Sequence, residues 1–335
     1  MAVKQKKSRG DLAPVAEGVI ALGSAVAGLV TGWILYSNIA IDHNVPLSPA
    51  LLATREEFAA PGVGRLNLYE DRSGEGTPVV LIHSINAAAS AYEMRPLFRY
   101  FRGKRPVYAL DLPGYGFSER SNRVYSPDLF THAILALLKR IEQPVDLVAL
   151  SLSSEFAAQV ARQAPNEVRS LTMISPTGFR ATTQESNKQV NSRRGKQVTR
   201  CLSFPLWARP LYDLLTTRRS IKYFLQKSFV GAVPQDFADY AYDTAHQPGA
   251  EHAPLAFLSG TLFTPRVRLR VYDNLELPVL VIYDQDPYVG FDVLAPYIAV
   301  HDNWQARRIS PTRGLPHFEK LDETTRALEQ FWNGL

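Results

Sequence analysis

A serine, an acidic residue and a histidine follow three predicted strands, and these three residue types together can carry out acyl transfer at a serine hydroxyl. Ser151 comes directly after an apolar run and before a helical pattern, and His317 lies in a loop before the last helical pattern. Asp286 follows another apolar run, with Asp284 as the alternative acid. A serine hydroxyl needs a base within hydrogen-bond reach at neutral pH. We interpret Ser151 as the nucleophile, His317 as the general base and Asp286 as the acid that orients it.

The residues beside Ser151 fit a tight turn from strand to helix. Ala149 and Ser153 are small, as such a turn requires. A helix cap is the other reading of Ser151, since serine is a preferred capping residue. We expect Ser153 to meet a volume requirement only, with a hydroxyl contact to the loop at Ser84 as the alternative.

The segment His83-Ser84-Ile85-Asn86 is a loop after another predicted strand and adds candidates to the site. The backbone N–H groups of Leu152 and Ile85 are expected to bind the developing oxyanion, an effect typically worth about 3 kcal/mol per donor. Asn86 is a candidate substrate-binding residue.

The elements that must position these residues form two blocks of alternating strand and helix patterns, residues 62–179 and 273–335. Such alternation predicts a mostly parallel sheet covered by helices on both faces. Residues 180–272 are helical in pattern and predict a cap between the blocks. Residues 42–61 read as a connector with little strand character, and residues 1–17 as a basic tail. In open parallel sheets chemistry collects at the carboxyl ends of the strands, where the candidate residues lie.

From Leu66 to Trp332 the chain resembles the α/β-hydrolase superfamily, in its capped branch of esterases, lipases, epoxide hydrolases and dehalogenases. The resemblance is carried by Asp-x-Pro-Gly-x-Gly-x-Ser at residues 111–118 and by His317 followed by Glu319 and a closing helix. It implies the α/β-hydrolase fold, a catalytic triad and a helical cap, and a structural role for His83. A serine nucleophile disfavours the alkyl-enzyme chemistry of dehalogenases and epoxide hydrolases.

Three departures from the family pattern bear on activity. Ala149 and Ser153 stand where Gly-x-Ser-x-Gly is usual, Ser84 replaces the glycine after His83, and Tyr283 replaces the glycine at the strand before the acid. Each added β-carbon at a crowded turn carries a cost. The departures point to a slow, specialised or inactive site, although all three residue types of the triad are present.

The N-terminal region contains 24 consecutive uncharged residues, Gly18 to Ile41, with basic residues ahead of them. About 20 apolar residues suffice for a helix to cross the hydrocarbon core. We predict a single transmembrane helix with a cytoplasmic N-terminus and the hydrolase domain on the extracytoplasmic side. A signal peptide cleaved near Ala40 and a buried core helix are the alternatives. Ser24, Gly28 and Gly32 form a small-residue face that suggests a partner helix.

Charge and cysteine content narrow the partners. The net charge is +5, and the single cysteine, Cys201, excludes an intramolecular disulfide and a cysteine-based zinc cage. Between residues 181 and 229 there are ten Lys and Arg and two acidic residues. This basic cap predicts attraction to anionic lipid, with a solvated outer face as the alternative. No metal-ligand spacing or phosphate loop is present, so we expect no cofactor, no metal and no nucleic acid.

Together these features predict a membrane-bound serine hydrolase of a carboxylic ester or lipid-like substrate. A weak or inactive hydrolase-fold membrane subunit that serves as an interaction platform is the first alternative. Acyl transfer or C–C bond hydrolysis on the same triad is the second.

Overall fold

An eight-stranded sheet forms the centre of the residues that the computed structural model describes, 28–181 and 192–335. Its strands are β1 (Thr54–Ala60), β2 (Gly64–Asp71), β3 (Val79–Ile82), β4 (Val107–Asp111), β5 (Val145–Leu150), β6 (Val168–Ile174), β7 (Val279–Gln285) and β8 (Trp304–Arg313). The spatial order is β1-β2-β4-β3-β5-β6-β7-β8. β2 runs antiparallel to β1 and β4, and every other neighbouring pair is parallel. The mostly parallel sheet of the α/β-hydrolase fold is therefore confirmed.

Helices cover both faces of this sheet. Those outside the cap are α1 (28–40), α2 (Arg95–Phe101), α3 (Pro127–Ile141), α4 (Ser153–Gln163), α11 (Leu294–Ile298), α12 (Pro316–Glu319) and α13 (Leu321–Asn333), with a 3-10 helix at Ala91–Met94. Alternate residues of β3 show the two-sided burial. Val80 and Ile82 pack in the cluster that contains α3 and α4, whereas Val79 and Leu81 pack with α2 and α13.

Local signals explain where α3 begins and ends. Ser126 precedes the helix and its hydroxyl accepts a hydrogen bond from Leu129 N, while Pro127 supplies the fixed φ favoured in the first turn. Lys139 and Arg140 lie in the last turn, where cations favour the helix dipole. Glu142 then ends the helix in the left-handed conformation.

The cap lies between β6 and β7 and is helical in its described part, as the pattern predicts. Its helices are α5 (Ser192–Leu202), α6 (Ala208–Leu215), α7 (Arg218–Lys227), α8 (Gln235–Ala245), α9 (His252–Leu258) and α10 (Val267–Arg270). Tyr212 of α6 is buried and its hydroxyl donates to the carbonyl of Ala87 at 2.6 Å. The cap is thereby joined to the loop after β3.

The predicted transmembrane run is described only from residue 28 onward, where α1 begins. Within residues 28–181 and 192–335, no helix has both the length and the apolar character needed to cross a bilayer. Ser24 lies outside the described residues, and no heavy atom lies within 4 Å of a β-carbon placed on Gly28 or Gly32. The transmembrane helix and its partner helix stay predictions.

Two expected elements are corrected. The connector predicted over residues 42–61 contains β1, which pairs along its whole length with β2. This strand lies at the sheet edge, and its charged side chains remain exposed while alternate residues turn inward. The sequence pattern also predicts a helix near Val289 to Tyr297. The observed helix α11 begins only at Leu294, because Asp286 Oδ1 accepts the N–H groups of Tyr288 and Val289 and holds that segment as a turn.

The Asp-x-Pro-Gly-x-Gly-x-Ser segment has a structural explanation in the buried carboxylate of Asp111. Asp111 accepts hydrogen bonds from Asn67 Nδ2, Ala91 N and Phe117 N at 2.8 to 3.0 Å. Burial raises the pKa of Asp111, and these hydrogen bonds oppose the rise. One side chain therefore joins β2, β4 and the start of the 3-10 helix beside the candidate site.

We predict that Gly116→Ala lowers the thermal unfolding temperature much more than Gly62→Ala. Both glycines have positive φ, so a β-carbon at either position costs about 1–2 kcal/mol. A β-carbon on Gly116 would also lie 2.0 Å from Asp111 Cγ, whereas Gly62 has open space around it. Calorimetry of both variants measures the difference; equal losses would contradict the close packing around Asp111.

Candidate active site

Ser151 lies in the turn that joins β5 to α4 and has a φ of 54°, a left-handed value that is uncommon for a residue other than glycine. Its N–H donates to Ile174 O at 2.8 Å, and its carbonyl accepts from Ser154 N at 3.0 Å. The hydroxyl makes no hydrogen bond to a described residue. Such strain, of about 1–2 kcal/mol, persists where the surrounding structure compensates for it.

Two backbone donors next to this turn are unengaged. The N–H groups of Leu152 and Ile85 have no acceptor among the described residues, whereas the N–H of Ser84 donates to Glu93 Oε2 at 2.8 Å. Leu152 precedes the first residue of α4, where the unpaired N–H groups of a helix favour negative charge. Both N–H groups are therefore free to donate to a bound molecule.

Ser153 does more than meet a volume requirement. Its hydroxyl donates to the carbonyl of His83 at 2.6 Å, and the whole side chain is buried. The volume-only expectation is therefore wrong, and the alternative of a hydroxyl contact to this loop is the one observed. The neighbouring Ala149 is buried in the core, as expected for a crowded turn.

His83 and Asn86 both make hydrogen bonds within the loop after β3. His83 Nδ1 contacts Ser84 O at 2.6 Å, its Nε2 accepts from Leu112 N, and burial lowers its pKa to about 4. The amide nitrogen of Asn86 donates to Ser84 Oγ and Glu93 Oε1, and its oxygen accepts from Ala88 N. Both hydrogens of Asn86 Nδ2 are engaged, and the substrate contact of Asn86 stays a prediction.

Glu93 is the residue that sequence reasoning missed. It lies in the 3-10 helix with 4% of its surface exposed, and burial raises the pKa of its carboxyl. Hydrogen bonds from Ser84 and Asn86 oppose that rise. The sequence signal was a single acidic residue within an apolar helical pattern, which an exposed helix face also explains.

The two candidate acids have different surroundings. Asp284 accepts from Arg308 Nε at 2.7 Å and from Thr312 N at 2.9 Å, so it joins β7 to β8. Burial acts to raise the pKa of Asp284, but these hydrogen bonds outweigh it and the pKa is lowered. Asp286 is half-buried with a raised pKa caused by burial, and its Oδ2 makes no hydrogen bond to a described residue.

Gly314 lies against the unengaged oxygen of Asp286. A β-carbon placed on Gly314 would be 3.0 Å from Asp286 Oδ2 and 3.6 Å from the β-carbon of Ser228. A side chain at position 314 would therefore face the acid, but glycine has none.

His317 is completely buried, and its Nε2 lies 2.7 Å from the carbonyl oxygen of Glu93. A carbonyl oxygen only accepts, so Nε2 carries the proton in this contact. Burial lowers the pKa of His317 to about 4, and its Nδ1 has no partner among the described residues. Among the described residues, His317 makes no hydrogen bond to Ser151 or Asp286, and its ring, carried by α12, bonds the main chain of Glu93 in the 3-10 helix instead.

Metal ligation has no visible basis in the described parts of the chain. Within those parts, no group of three or more His, Cys, Asp or Glu side chains is arranged to hold an ion. In Asp286, Oδ1 accepts two backbone N–H groups, and no second acidic side chain of the described residues is hydrogen-bonded to the free oxygen Oδ2.

Comparisons with known proteins agree with the fold described above. The family model described as "Alpha/beta hydrolase family" matches residues 79–324. A pimeloyl-[acyl-carrier protein] methyl ester esterase of Vibrio campbellii is 34% identical over 111 residues, which are 32% of this chain and 41% of the esterase. The matched stretches span only 31 to 45% of the length of such curated relatives.

Two solved structures share the fold at low sequence identity. A serine hydrolase involved in carbazole degradation has a TM-score of 0.66 and 17% identity, over 84% of this chain and 99% of its own. A membrane phospholipase A has a TM-score of 0.63 and 18% identity, over 96% of both chains.

We predict that Ser153→Ala weakens the site more than Ser154→Ala. Both serines are fully buried in α4, but only Ser153 bonds the loop that carries Ile85, whereas Ser154 contacts Ala149 O within its own segment at 3.3 Å. Losing the Ser153 hydroxyl leaves the His83 carbonyl unpaired, at a cost of about 1–3 kcal/mol. The rate of serine labelling by a fluorophosphonate should fall for Ser153→Ala and stay near wild type for Ser154→Ala. Identical rates would show that the contact does not position the loop.

Proposed function

The chain belongs to the alpha/beta hydrolase family, and we propose that it hydrolyses a carboxylic ester or lipid-like substrate through an acyl-enzyme on Ser151. The observation that carries the proposal is the left-handed turn at Ser151, whose hydroxyl is free beside the unengaged N–H groups of Leu152 and Ile85. A strained turn of this kind has no evident packing benefit, and it exposes a nucleophile at the carboxyl end of β5.

The proposed reaction has two steps. Ser151 Oγ forms a bond to the carbonyl carbon while its proton passes to a base, and the oxyanion is held by the N–H groups of Leu152 and Ile85. Collapse of this intermediate breaks the ester C–O bond, and the alcohol leaves with that proton. Water then attacks the acyl-enzyme by the same route and releases the acid and free Ser151.

His317 is the proposed base, with Asp286 as its orienting acid, and its present hydrogen bond makes the proposed enzyme slow. To accept a proton at Nε2, His317 must first release the carbonyl of Glu93 and carry its own proton on Nδ1. Leaving a buried carbonyl unpaired costs about 1–3 kcal/mol, which lowers the competent population roughly 5- to 150-fold. We therefore expect acylation by activated esters together with low turnover.

The ester class is supported by two relatives. The Vibrio campbellii protein is a methyl ester esterase, and the solved structure that covers most of this chain is a membrane phospholipase A. Both names describe the hydrolysis of a carboxylic ester. The uncharged N-terminal run and the basic cap favour a lipid-like substrate over a small polar ester.

We predict that a fluorophosphonate labels the wild-type protein and not Ser151→Ala. The probe needs an exposed nucleophile and oxyanion donors, and its phosphorus has a good leaving group, so a weakly engaged base suffices. Ser154→Ala, one turn away, is the control and should keep its label. Mass spectrometry of the intact protein measures the adduct, and labelling of Ser151→Ala would refute the assignment of the nucleophile.

A second candidate function is an interaction platform without turnover, and one observation favours it. Asp286 Oδ2 faces Gly314, where no imidazole is present, and His317 faces Glu93 instead. On this reading Ser151 has a nucleophile's geometry without any base.

Two variants separate these candidates. If the protein is a hydrolase with His317 as base, His317→Ala should lower the hydrolysis of p-nitrophenyl butyrate by about 100-fold or more. If it is a platform, His317→Ala should change nothing, and Gly314→His should create hydrolysis by pairing a new imidazole with Asp286.

Gly314→Ala is the matched control for the second variant. It adds the same strain at a φ of 75°, about 1–2 kcal/mol, without the imidazole. Hydrolysis that rises equally in Gly314→Ala and Gly314→His would exclude a base at this position.

A further inference from the structure

The helix α1 exposes several of its apolar side chains and buries a polar one. Leu29, Val30 and Ile39 are 75%, 53% and 80% exposed, whereas Ser37 is fully buried. A helix that packs on a protein in water shows the reverse pattern. Polar groups inside and apolar groups outside are typical of a helix whose surroundings are hydrocarbon.

The inward face of α1 is fixed to the cap by hydrogen bonds. Trp33 Nε1 donates to Pro210 O at 2.8 Å, and Ser37 Oγ donates to the buried carboxylate of Asp213 at 2.6 Å. His43 Nε2 lies 2.9 Å from the same carboxylate oxygen. These contacts set the position of α6 relative to the uncharged N-terminal run.

An apolar groove of about 900 Å³ lies between α1 and α6. The residues that form its two walls include Leu29, Trp33 and Tyr36 from α1 and Trp207, Leu211 and Leu214 from the α6 side. The turn before α6 extends the apolar surface, since the Phe204 and Trp207 rings lie 4.5 Å apart and Leu206 is 57% exposed. A cavity of this size is in the range of ligand sites and is open to an acyl chain.

The groove also indicates how deep α6 would lie in a bilayer. Its α1 wall runs from Gly28 to Tyr36, well inside the uncharged segment that ends at Ile41. Residues 28–40 extend for about 18–20 Å along the helix axis at 1.5 Å per residue. If the uncharged segment lies in a bilayer, α6 lies beside its last turns, at the boundary between the headgroups and the acyl chains.

The charge around this surface matches anionic headgroups. Arg200, Arg219 and Lys222 are exposed on the cap helices α5 and α7. The acidic residue of α6, Asp213, is buried and therefore does not face a membrane surface. Each basic residue near an anionic leaflet contributes about 1 kcal/mol of attraction.

We propose that α6 and the turn before it enter the interfacial layer of an anionic phospholipid bilayer beside α1, with a lipid acyl chain in the groove between them. Tyr212 of α6 donates to Ala87 O in the loop after β3, so the lipid-contacting helix also touches the loop of the candidate site. The surface therefore brings bilayer lipid to the cap side of the hydrolase domain. It does not depend on Ser151, so its failure and that of the hydrolase proposal are distinguishable.

The test places a fluorescent label on the exposed face of α6 in the full chain. In a Cys201→Ser background, Leu214→Cys, at a position 49% exposed, carries an NBD group. The control is Val300→Cys, at a 75% exposed position between α11 and β8 in the hydrolase domain. Both proteins are reconstituted into vesicles of phosphatidylcholine and phosphatidylglycerol, with and without lipids that carry a nitroxide on the acyl chain.

The label on Leu214→Cys should lose most of its emission to the nitroxide lipids and resist iodide, while the label on Val300→Cys should respond only to iodide. Emission at Leu214→Cys that is quenched by iodide and not by lipid would overturn the proposal. A label shielded from both quenchers, with self-quenching between copies, would overturn it in favour of a second chain in the groove. Equal lipid quenching at both positions would exclude α6 as the contact.

Discussion

In the proposed mechanism, the hydrogen bond from His317 Nε2 to the carbonyl of Glu93 limits how His317 can act as a base. A carbonyl oxygen cannot donate, so the contact fixes the imidazole tautomer and uses the nitrogen that a serine nucleophile would need. Burial keeps the ring neutral, with its pKa lowered to about 4, so the histidine is fit to act as a base in charge state but not in orientation. The proposed nucleophile, acid and base are consequently not hydrogen-bonded to one another until this bond is released.

Glu93 connects that histidine to the loop after β3. Its main chain accepts from His317, while its carboxylate holds Ser84 N and the amide of Asn86. The same loop is held from beneath by the hydroxyl of Ser153, which bonds the His83 carbonyl. Of the four residues that stand where the family pattern has glycine, Ser84 and Ser153 make side-chain hydrogen bonds in this loop that glycine cannot make.

The cap and the N-terminal helix meet this loop from the other side. Tyr212 bonds Ala87 O, and the neighbouring Asp213 bonds Ser37 of α1. Because both residues belong to α6, one short helix links the apolar N-terminal region to the loop beside Ser151. The proposed membrane contact at α6 is therefore physically connected, through this helix, to the loop that carries Ile85.

Much of the fold follows from local patterns in the sequence. Buried strands such as β3 are continuous apolar runs, α3 has a serine cap and Pro127 at its start, and the Ser151 turn needs small neighbours whose identity is visible in the sequence. The edge strand β1 was missed, because exposed charged side chains hide its period. Only the tertiary structure decided the partner of His317, since Glu93 lies 224 positions away in the chain. Which hydrogen bonds form depends on how side chains from separate elements are placed in space. A sequence pattern shows the residue types but not that placement.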